Sequence, residues 1–478
     1  MRDVTGDGAQ EELLVDASPY GIRAASVADG VPAAFFIEWH TRPSGLGDVH
    51  AARVLGRMAG IDACIVDIGD GEEAFLPGAG GRGPGDAPLA VQIVCDAHGG
   101  KRARASRRPV LAGRTVAFRP GGQGIALSRR LREPAARRAV RAALDGTEVP
   151  GGALTVRAAA GACPDAVPAA ATMLAARWQE IRAATARDPT PRRLWHGGGL
   201  LGRLLRDAAP PGIRKIAIDD DATLERARRR AAGEAPDLLP ALGPADAAQV
   251  AAPLFERHDC AGRLQAALEP EVVLAGGARL TIEETRALAA IDVDTSRAAS
   301  ADAAETAAAV GREIVLRSLG GLIAIDFAGR GAPRRREVQL AGLKRALRAD
   351  RVPHRVLGVT AGGVVEVNRQ RLGPSLLEAL TEPAGGALEG RRVRLEAVAH
   401  EAANAARREV ASGARALTLR AAPALLAALA APGEGVLEGW LGVPLALVAD
   451  RTQPRGRYIL ERSGTLAAGS RGGRCSTR

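Results

Sequence analysis

Two short apolar runs, Leu288-Ala289-Ala290-Ile291-Asp292-Val293 and Leu322-Ile323-Ala324-Ile325-Asp326, each carry a carboxylate at or near their end. Runs of this length that are rich in Ile and Val and bounded by Gly or polar residues are typical of buried strands. The Ala-, Glu- and Arg-rich span 298–317 between them predicts a crossover helix. A strand–helix–strand unit makes its strands parallel neighbours, so we expect Asp292 and Asp326 at one edge of a sheet.

The position of these carboxylates suggests a metal site. A carboxylate on a buried strand is costly unless its charge is compensated. Asp292, Asp326 and the nearby Asp294 would converge at one sheet edge, which favours a divalent cation between them. Few, hard oxygen ligands with water completing the shell suit magnesium or manganese. The alternative interpretation is that these aspartates cap helices or form turns.

The composition favours a partner that carries many negative charges. The chain of 478 residues is 46% hydrophobic and has a formal net charge of +11, carried almost wholly by Arg because Lys occurs only at Lys101, Lys215 and Lys344. Such a balance favours nucleic acid. The alternative is that the high Arg content reflects compositional bias, because the contents of Ala, Gly and Arg are all high in this sequence. Only 3% of the residues are aromatic, so the core must consist mainly of Ala, Leu and Val.

Cysteine usage and hydropathy point to the cytoplasm. The five cysteines form no Cys-x-x-Cys pair, which indicates neither a disulfide framework nor a zinc ribbon. The chain shows no charged-then-apolar leader and no run of about eighteen apolar residues. We therefore expect a soluble cytoplasmic protein without a membrane partner.

Three motifs together resemble the catalytic region of the ribonuclease E/G family, and they lie at residues 290–296, 319–327 and 366–372. The resemblance extends over about residues 12–442. It implies that Asp292 and Asp326 are the catalytic residues and hold a magnesium ion. Where the family usually has Asn, this chain has Asp294, which is expected as a further ligand or directly behind the ligands.

The resemblance also implies the domain organisation of an α/β multidomain protein. An RNase H-like subdomain would carry an inserted OB-fold barrel and 5′-sensor subdomain, followed by a DNase I-like α/β catalytic subdomain and a small C-terminal domain. In chain order, the predicted parts are the first RNase H-like part (1–49), the RNA-binding barrel (50–112), the 5′-sensor-like subdomain (113–190), the second RNase H-like part (191–265), the catalytic subdomain (266–380), a degenerate zinc-link segment (381–386), a dimerisation-like domain (387–455) and a tail predicted to be disordered (456–478).

Residues that follow a third predicted strand are candidates for RNA contact. Asn368, Arg369 and Arg371 come directly after the run 363–367, which we predict to end near the two aspartates. Amide and guanidinium groups at that place would contact the RNA backbone. A solvated helix start is the alternative.

The barrel departs from the family in its aromatic residues. Ile65 and Ile68 stand where family members usually carry aromatic side chains. Barrels of this type grip single strands by aromatic stacking and a basic groove. We therefore expect RNA contact to depend on basic residues such as Arg53 and Arg57, and we predict that Phe75 lies in the core.

The predicted 5′-sensor also departs from the family. Gly124 and Arg129 match one wall of the pocket that binds a 5′-monophosphate, and Arg157 matches the other. An Arg fork suits phosphate because it gives two charge-assisted hydrogen bonds. However, the Thr that follows this Arg in the family is Ala158, and a third basic position falls at Pro353. These changes predict weak sensing, and an ordinary surface role for Arg157 is the alternative.

The zinc link that joins two protomers in the family corresponds to residues 381–386, which contain no cysteine. We therefore expect no zinc site. A homodimer would have to form without zinc, through apolar residues of the small domain. The candidates for this contact are Leu417, Leu419, Leu425, Leu426 and Leu429.

Taken together, the resemblance implies a magnesium-dependent endoribonuclease that cleaves single-stranded RNA in RNA processing or decay and leaves 5′-phosphate and 3′-hydroxyl ends. Two alternatives stay open. The departures in the barrel, the sensor and the zinc link suit a catalytically weak RNA-binding paralogue. The basic surface alone would suit a ribosome-assembly factor.

Overall fold

The computed structural model describes residues 11–245, 254–295, 302–327, 333–385 and 390–463, and the structural statements below concern these residues. They form several sheets covered by helices, together with a closed ring of five strands. This confirms the prediction of a mixed α/β multidomain protein. Within these ranges, no helix is both long enough and apolar enough to cross a membrane.

The first described residues form an antiparallel meander, and the next five strands close into a barrel. The meander consists of β1 (Glu11–Ser18), β2 (Gly21–Ala28) and β3 (Val31–Trp39). The barrel strands are β4 (Val49–Arg57), β5 (Ala63–Gly69), β6 (Glu72–Pro77), β7 (Leu89–Cys95) and β8 (Ala103–Ser106). Their order is β4-β5-β6-β8-β7, and β7 pairs with β4 to close the ring. Val54, Val66 and Leu76 belong to its core. The barrel is consistent with the predicted OB-like fold.

A second inserted unit follows the barrel. Its elements are β9 (Leu111–Ala112), β10 (Val116–Pro120), β11 (Ile125–Leu127), α1 (Pro134–Ala143), β12 (Gly152–Val156) and α2 (Val167–Arg187). The sheet order is β11-β12-β10-β9. The helices bury Val140 and Leu174 in one core with Phe118 and Leu154 of the sheet.

The chain then returns to the barrel and to the first sheet. These elements are β13 (Arg192–Trp195), α3 (Gly199–Arg203), β14 (Lys215–Ile218), α4 (Asp221–Glu234), β15 (Leu242–Pro244) and α5 (Cys260–Ala266). Strand β13 pairs with β4. Strand β14 lies parallel to β1, so the first sheet has the order β15-β14-β1-β2-β3. Asp220 caps the N-terminus of helix α4, and its Oδ2 accepts a hydrogen bond from the Thr223 amide at 2.8 Å.

The sheet that carries the two aspartates has six strands. Its elements are β16 (Glu271–Val273), β17 (Ala278–Glu284), β18 (Leu288–Thr295), α6 (Ala303–Leu316), β19 (Gly321–Phe327), α7 (Pro333–Leu347), β20 (His354–Val359) and β21 (Val365–Arg369). The strand order is β16-β17-β18-β19-β21-β20. Strands β18 and β19 are parallel and α6 connects them, which confirms the predicted strand–helix–strand unit.

Helices α6 and α7 pack unusually close together because small residues face each other. A Cβ added at Gly342 would lie 2.3 Å from the carbonyl oxygen of Ala304, and one at Gly311 would lie 2.7 Å from the Cβ of Ala346. The apolar side of the sheet, including Ile291, joins the core formed with these helices. The helices therefore cover one face of the sheet and leave the alternate side chains on the other.

The small C-terminal domain follows the sheet. Its elements are α8 (Leu376–Leu380), β22 (Thr381–Pro383), β23 (Arg391–Val393), α9 (Leu395–Ala411), β24 (Leu417–Ala421), α10 (Pro423–Ala430), α11 (Val436–Leu441), β25 (Leu445–Ala449) and β26 (Tyr458–Arg462). Leu417, Leu419, Leu425 and Leu429 are at most 2% exposed, and Leu426 packs against them. The prediction that these leucines form a dimer surface is wrong, because they fill the domain's own core.

Helix α9 docks on the first sheet through buried charges. The Asp16 carboxylate of β1 accepts a hydrogen bond from Arg23 Nε at 2.9 Å and lies 3.1 Å from His400 Nε2. Next to it, Asp219 Oδ2 accepts from Arg407 Nη2 at 2.6 Å. Burial would raise the pKa of Asp16, but Arg23 and His400 outweigh it and hold that pKa well below its usual range. Burial and the Asp16 charge raise the pKa of Asp219 to about 7.

This raised pKa predicts how stability depends on pH. A carboxyl with a higher pKa in the folded state binds its proton more tightly there, so its contribution to stability falls as pH rises from about 4 to about 7. Asp219→Asn should remove this fall. The free energy of unfolding of the variant, relative to the native protein, should therefore increase between about pH 5 and pH 7 in urea titrations. An equal difference at both pH values would contradict the prediction.

Candidate active site

Asp292 and Asp326 lie side by side. They are register partners in the parallel pair β18–β19, and neighbouring strands are about 4.8 Å apart. Val293 and Phe327, the next residues, are buried in the core with α6 and α7. Because side chains alternate along a strand, the two carboxylates point to the open face of the sheet. Asp292 is exposed there and Asp326 is half-buried.

Asp294 lies next to the aspartate pair on β18. It is exposed on the same face of β18, two residues further along, which places its Cα roughly 6.5–7 Å from that of Asp292. On the neighbouring strand β17, Thr281 is the register partner of Asp292 and Arg279 is the partner of Asp294. In the described part of the chain, no three His, Cys, Asp or Glu side chains are grouped closely enough to hold a metal ion. The site therefore has two adjacent carboxylates and a third nearby.

This donor set fits a hard divalent cation that keeps most of its water. Magnesium is usually bound by one or two carboxylates with several waters, and the exposure of Asp292 leaves space for them. Two carboxylates at this spacing repel each other by about 1 kcal/mol even in bulk water, and by more near a protein surface. A cation at Asp292 and Asp326 would remove that repulsion.

The structure separates the predicted RNA contacts on β21. Asn368 is exposed on the open face, across from Leu322, which precedes Asp326 by four residues along β19. The prediction that this strand ends near the two aspartates is wrong, because β21 runs antiparallel to β19 and its last residues lie beside the start of β19. Arg369 points to the other side and is only 5% exposed. Its Nε and Nη2 donate to the Asp350 carboxylate at 2.8 and 3.1 Å, and its Nη1 donates to the carbonyl of Leu319 at 2.8 Å. This position does not support RNA contact by Arg369, which instead ties β21 to the turn before β19.

Arg371 also holds that turn. It is half-buried, and its Nη2 donates a hydrogen bond to the carbonyl oxygen of Gly320. A Cβ at Gly320 would lie 2.9 Å from the Cα of Arg371, so this approach requires glycine. Gly321 follows with a φ of +88°, a conformation that favours glycine. Arg371 thus positions the start of the strand that carries Asp326.

Three polar residues on the open face were not among the predicted site residues, and two of them, Arg355 and Arg279, lie outside the sequence motifs. Arg355 of β20 is exposed across from Asn368. Glu366 of β21 lies across from Ala324, two residues before Asp326. Arg279 lies next to Asp294, as described above. Only strand register reveals these neighbours, because each sits on a strand other than β18 and β19.

The outer face of the barrel carries an aromatic residue. Phe75 is half-buried and points outward, because Ala74 and Leu76 on either side of it fill the interior. Its register partners are Ile65 on β5 and Arg104 on β8. The prediction that Phe75 lies in the core is wrong. The three side chains form an outward row of apolar surface with a cation at one end.

The two barrel arginines predicted to contact RNA differ in their surroundings. Arg53 is exposed, but its Nη2 lies 3.2 Å from Asp67 Oδ2. Arg57 is exposed at the end of β4. The barrel adjoins the catalytic sheet through its 96–101 loop, where Lys101 Nζ donates to the carbonyl of Arg286 at 3.5 Å. An RNA strand bound along the barrel would therefore lie near the six-stranded sheet that carries Asp292 and Asp326.

Arg157 at the predicted 5′-sensor is already engaged by the protein. Its Nη2 donates to Asp207 Oδ1 at 2.6 Å, and its Nη1 donates to the carbonyl of Gly113 at 2.6 Å. Arg206 Nη2 donates to the other Asp207 oxygen at 2.8 Å. Burial alone would raise the pKa of Asp207, but Arg206 and Arg157 outweigh it and lower that pKa. The Asp207 carboxylate thus already binds the Arg157 guanidinium that is predicted to bind phosphate.

The other residues of the predicted 5′-sensor are exposed to solvent, and a further arginine lies beside Asp207. Gly124 and Arg129 are exposed beside β11. Arg351 donates from Nη1 to the backbone carbonyl of Asp207 at 2.7 Å. The expected loss of a cation at Pro353 is therefore partly offset, because Arg351 comes to the same place from the segment after α7.

Ion pairs hold the described part of the degenerate zinc-link segment. Glu382 lies 2.7 Å from Arg455, 3.1 Å from Arg392 and 3.6 Å from Arg394. Burial would raise the pKa of Glu382, but these arginines outweigh it and lower that pKa. Residues 386–389 lie outside the described ranges.

Adjacent carboxylates on an open sheet face, in a protein that also contains a five-stranded barrel, suit a nuclease that uses a metal ion. The sequence model of the Ribonuclease E/G family matches residues 110–372, which is more than half of the chain. The chain belongs to the ribonuclease E/G family, and this membership indicates an endoribonuclease.

Individual relatives are similar over most of the chain. Ribonuclease G of Salmonella typhimurium (strain SL1344) is 28% identical over 393 residues, which cover 75% of this chain and 80% of that protein. Ribonuclease G of Escherichia coli (strain K12) is 28% identical over 397 residues, with coverages of 76% and 81%. Ribonuclease E of Nostoc sp. (strain PCC 7120) is 29% identical over 381 residues, which cover 73% of this chain and 55% of that protein.

Proposed function

We propose that the protein is a cytoplasmic, metal-dependent endoribonuclease that cleaves single-stranded RNA in RNA processing or decay. The observation that carries this proposal is the register pair of Asp292 and Asp326 on the open face, in a chain of this family. These two residues would hold a magnesium or manganese ion. When bound, the ion would activate a water and stabilise charge on the scissile phosphate, leaving 5′-phosphate and 3′-hydroxyl ends.

Side chains on the barrel and on the open face of the six-stranded sheet suit the binding of single-stranded RNA, which this reaction also requires. Phe75 offers an outward aromatic face, and stacking of one base on such a face is worth about 1–3 kcal/mol. Stacking of this kind needs an unpaired base, which favours single-stranded RNA. Asn368 and Arg355 lie on the same open face, roughly 13 Å along the strands from Asp326, and would hold the RNA backbone on its way to the aspartate pair. Arg57 would extend the contact along the barrel.

The finer fold assignments belong to the same proposal. We assign an RNase H-like subdomain to 1–49 and 191–265 and a DNase I-like catalytic subdomain to 266–380.

A weakly catalytic, RNA-binding protein is the second candidate function, because Arg369 and Arg157 form ion pairs with carboxylates of the protein itself. A cleavage assay separates the two.

Asp292→Asn and Asp326→Asn test the proposed site. Each variant should cleave a fluorescent, A/U-rich single-stranded oligonucleotide more slowly by orders of magnitude, while its affinity for that RNA stays within a few-fold. The reason is that these carboxylates serve the step in which charge develops more than they serve substrate binding. Cleavage rates in magnesium and RNA affinities without cleavage measure the two effects.

A surface carboxylate provides the matched control for that experiment. Glu225 lies on the exposed side of α4, where it pairs with a helical neighbour, Arg228, at 2.9 Å. Glu225→Gln should keep the native rate. Native rates in both active-site variants would rule out the proposed site, and absence of cleavage by the native protein would favour the RNA-binding alternative.

The preference for RNA with a 5′-monophosphate over a 5′-hydroxyl should be small in the native protein, because Asp207 competes with the phosphate for Arg157. Asp207→Asn should increase this preference by at most about one to two orders of magnitude, since one charge-assisted hydrogen bond is worth roughly 1.5–3 kcal/mol. Paired binding measurements on RNAs that differ only at the 5′ end test it. The gain should disappear in the Asp207→Asn/Arg157→Ala double variant, and a gain that survives there would place the phosphate elsewhere.

The segment 381–386 should not bind zinc, because structural zinc needs about four Cys or His ligands. The side chain of Glu382 is instead engaged by arginines. Elemental analysis of the purified protein should find no stoichiometric zinc, and a zinc chelator should leave the sedimentation coefficient unchanged. One zinc per dimer with dissociation on chelation would contradict this expectation.

A further inference from the structure

The active-site face carries an arginine whose position matches the extra carboxylate of this chain. Arg279 of β17 and Asp294 of β18 are direct register partners in an antiparallel pair. Ala278, Leu280 and Val293 next to them are buried, so both charged side chains point to the open face. Cβ atoms of such partners lie about 4.5–5.5 Å apart. This distance lets the guanidinium reach the carboxylate.

Asp294 needs a compensating charge at this place. It lies on the same face as Asp292, on the strand next to the one that carries Asp326. The two positive charges of a divalent cation balance only two carboxylates. A third uncompensated carboxylate would make the site more negative, which strengthens metal binding and repels the phosphates of RNA. An adjacent arginine restores the charge of a site with two carboxylates.

We propose that Arg279 is the counter-ion of Asp294 and thereby sets the metal affinity of the active site. This inference rests on the proposed function. Arg279 is a positioning residue here, because it acts on the ion only through the charge of Asp294. Asp294 in turn balances Arg279 and does not serve as a ligand of the ion.

In the structure the Arg279 guanidinium pairs with a different carboxylate, Glu271, and this pair is weak enough to exchange. Arg279 Nη1 lies 3.0 Å from Glu271 Oε2 on β16, and both side chains are more than half exposed. Exposed pairs of this kind contribute little to stability, so the guanidinium can turn from Glu271 towards Asp294 at small cost. Glu271 lies on the far side of Arg279 from the aspartate pair, and it therefore supplies a control.

Manganese binding to the full chain without RNA tests the proposal. The probe is Mn²⁺, whose free concentration is read by electron paramagnetic resonance. Arg279→Gln should tighten Mn²⁺ binding about three- to tenfold, because it leaves Asp294 uncompensated. Asp294→Asn should weaken binding by a similar factor, since it removes a negative charge near the ion while Arg279 keeps its positive charge. The double variant Arg279→Gln/Asp294→Asn should return to within about twofold of the native affinity.

Controls separate this effect from folding and from the loss of the other ion pair. Glu271→Gln should change the Mn²⁺ affinity by less than about twofold, because its charge is further from the ion. The thermal unfolding midpoint without metal should be the same for the native protein and Arg279→Gln, since the residue is exposed. A lowered midpoint together with altered affinity would assign the effect to structure and overturn the proposal.

The outcomes distinguish this inference from the proposed function. If Asp292→Asn weakens Mn²⁺ binding but Arg279→Gln leaves it unchanged, the role of Arg279 is overturned and the active site stands. If the double variant binds as weakly as Asp294→Asn, Asp294 is itself a ligand and the counter-ion role is wrong. If Asp292→Asn has no effect on Mn²⁺ binding, the ion site and the role of Arg279 fail together.

Discussion

Two like charges held side by side are the constraint on which the catalytic sheet depends. Asp292 and Asp326 repel each other, yet the site requires them on adjacent strands, in register and on the face without helices. A slip of one residue between β18 and β19 would turn one carboxylate into the apolar core. The apolar residues on the opposite side of both strands prevent this slip, because α6 and α7 bury them.

The residues around the start of β19 reinforce that register. Arg369 bonds to the carbonyl of Leu319 and to Asp350, and Arg371 bonds to the carbonyl of Gly320. Both arginines belong to the segment that the sequence motif associates with RNA. Their contacts show that this motif supports the site from beneath the sheet, while Asn368 alone of the predicted trio reaches the open face.

The sequence predicted those features that depend on order along the chain. The β18–α6–β19 unit follows from two apolar runs and the helical span between them, and the barrel follows from short strands separated by Gly-rich turns. Orientation was harder to predict. The predicted strand ends at residue 367, whereas β21 continues to Arg369, and its alternation assigns Asn368 and Arg369 to opposite faces. The same alternation places Phe75 outside the barrel.

Contacts between distant residues could not be predicted in this way. Arg157 and Asp207 lie 50 positions apart, and Arg279 and Asp294 lie opposite each other because β17 and β18 pair in one particular register. The leucines of the C-terminal domain have the pattern of an apolar surface, but the fold uses this pattern to build a core. Composition shows how much apolar surface exists and does not show which partner covers it.

The close contact of α6 and α7 has a consequence for the cost of ordering the chain. Ala and Gly lose almost no side-chain rotamer freedom when they are buried, whereas long side chains lose up to about 2 kcal/mol each. Where Gly342 meets Ala304, the backbones touch with no flexible side chain between them. A chain with few aromatic residues thus supports the sheet with little loss of side-chain entropy, although each glycine costs more backbone entropy than alanine would. The close contact also leaves these helices little space for a larger residue.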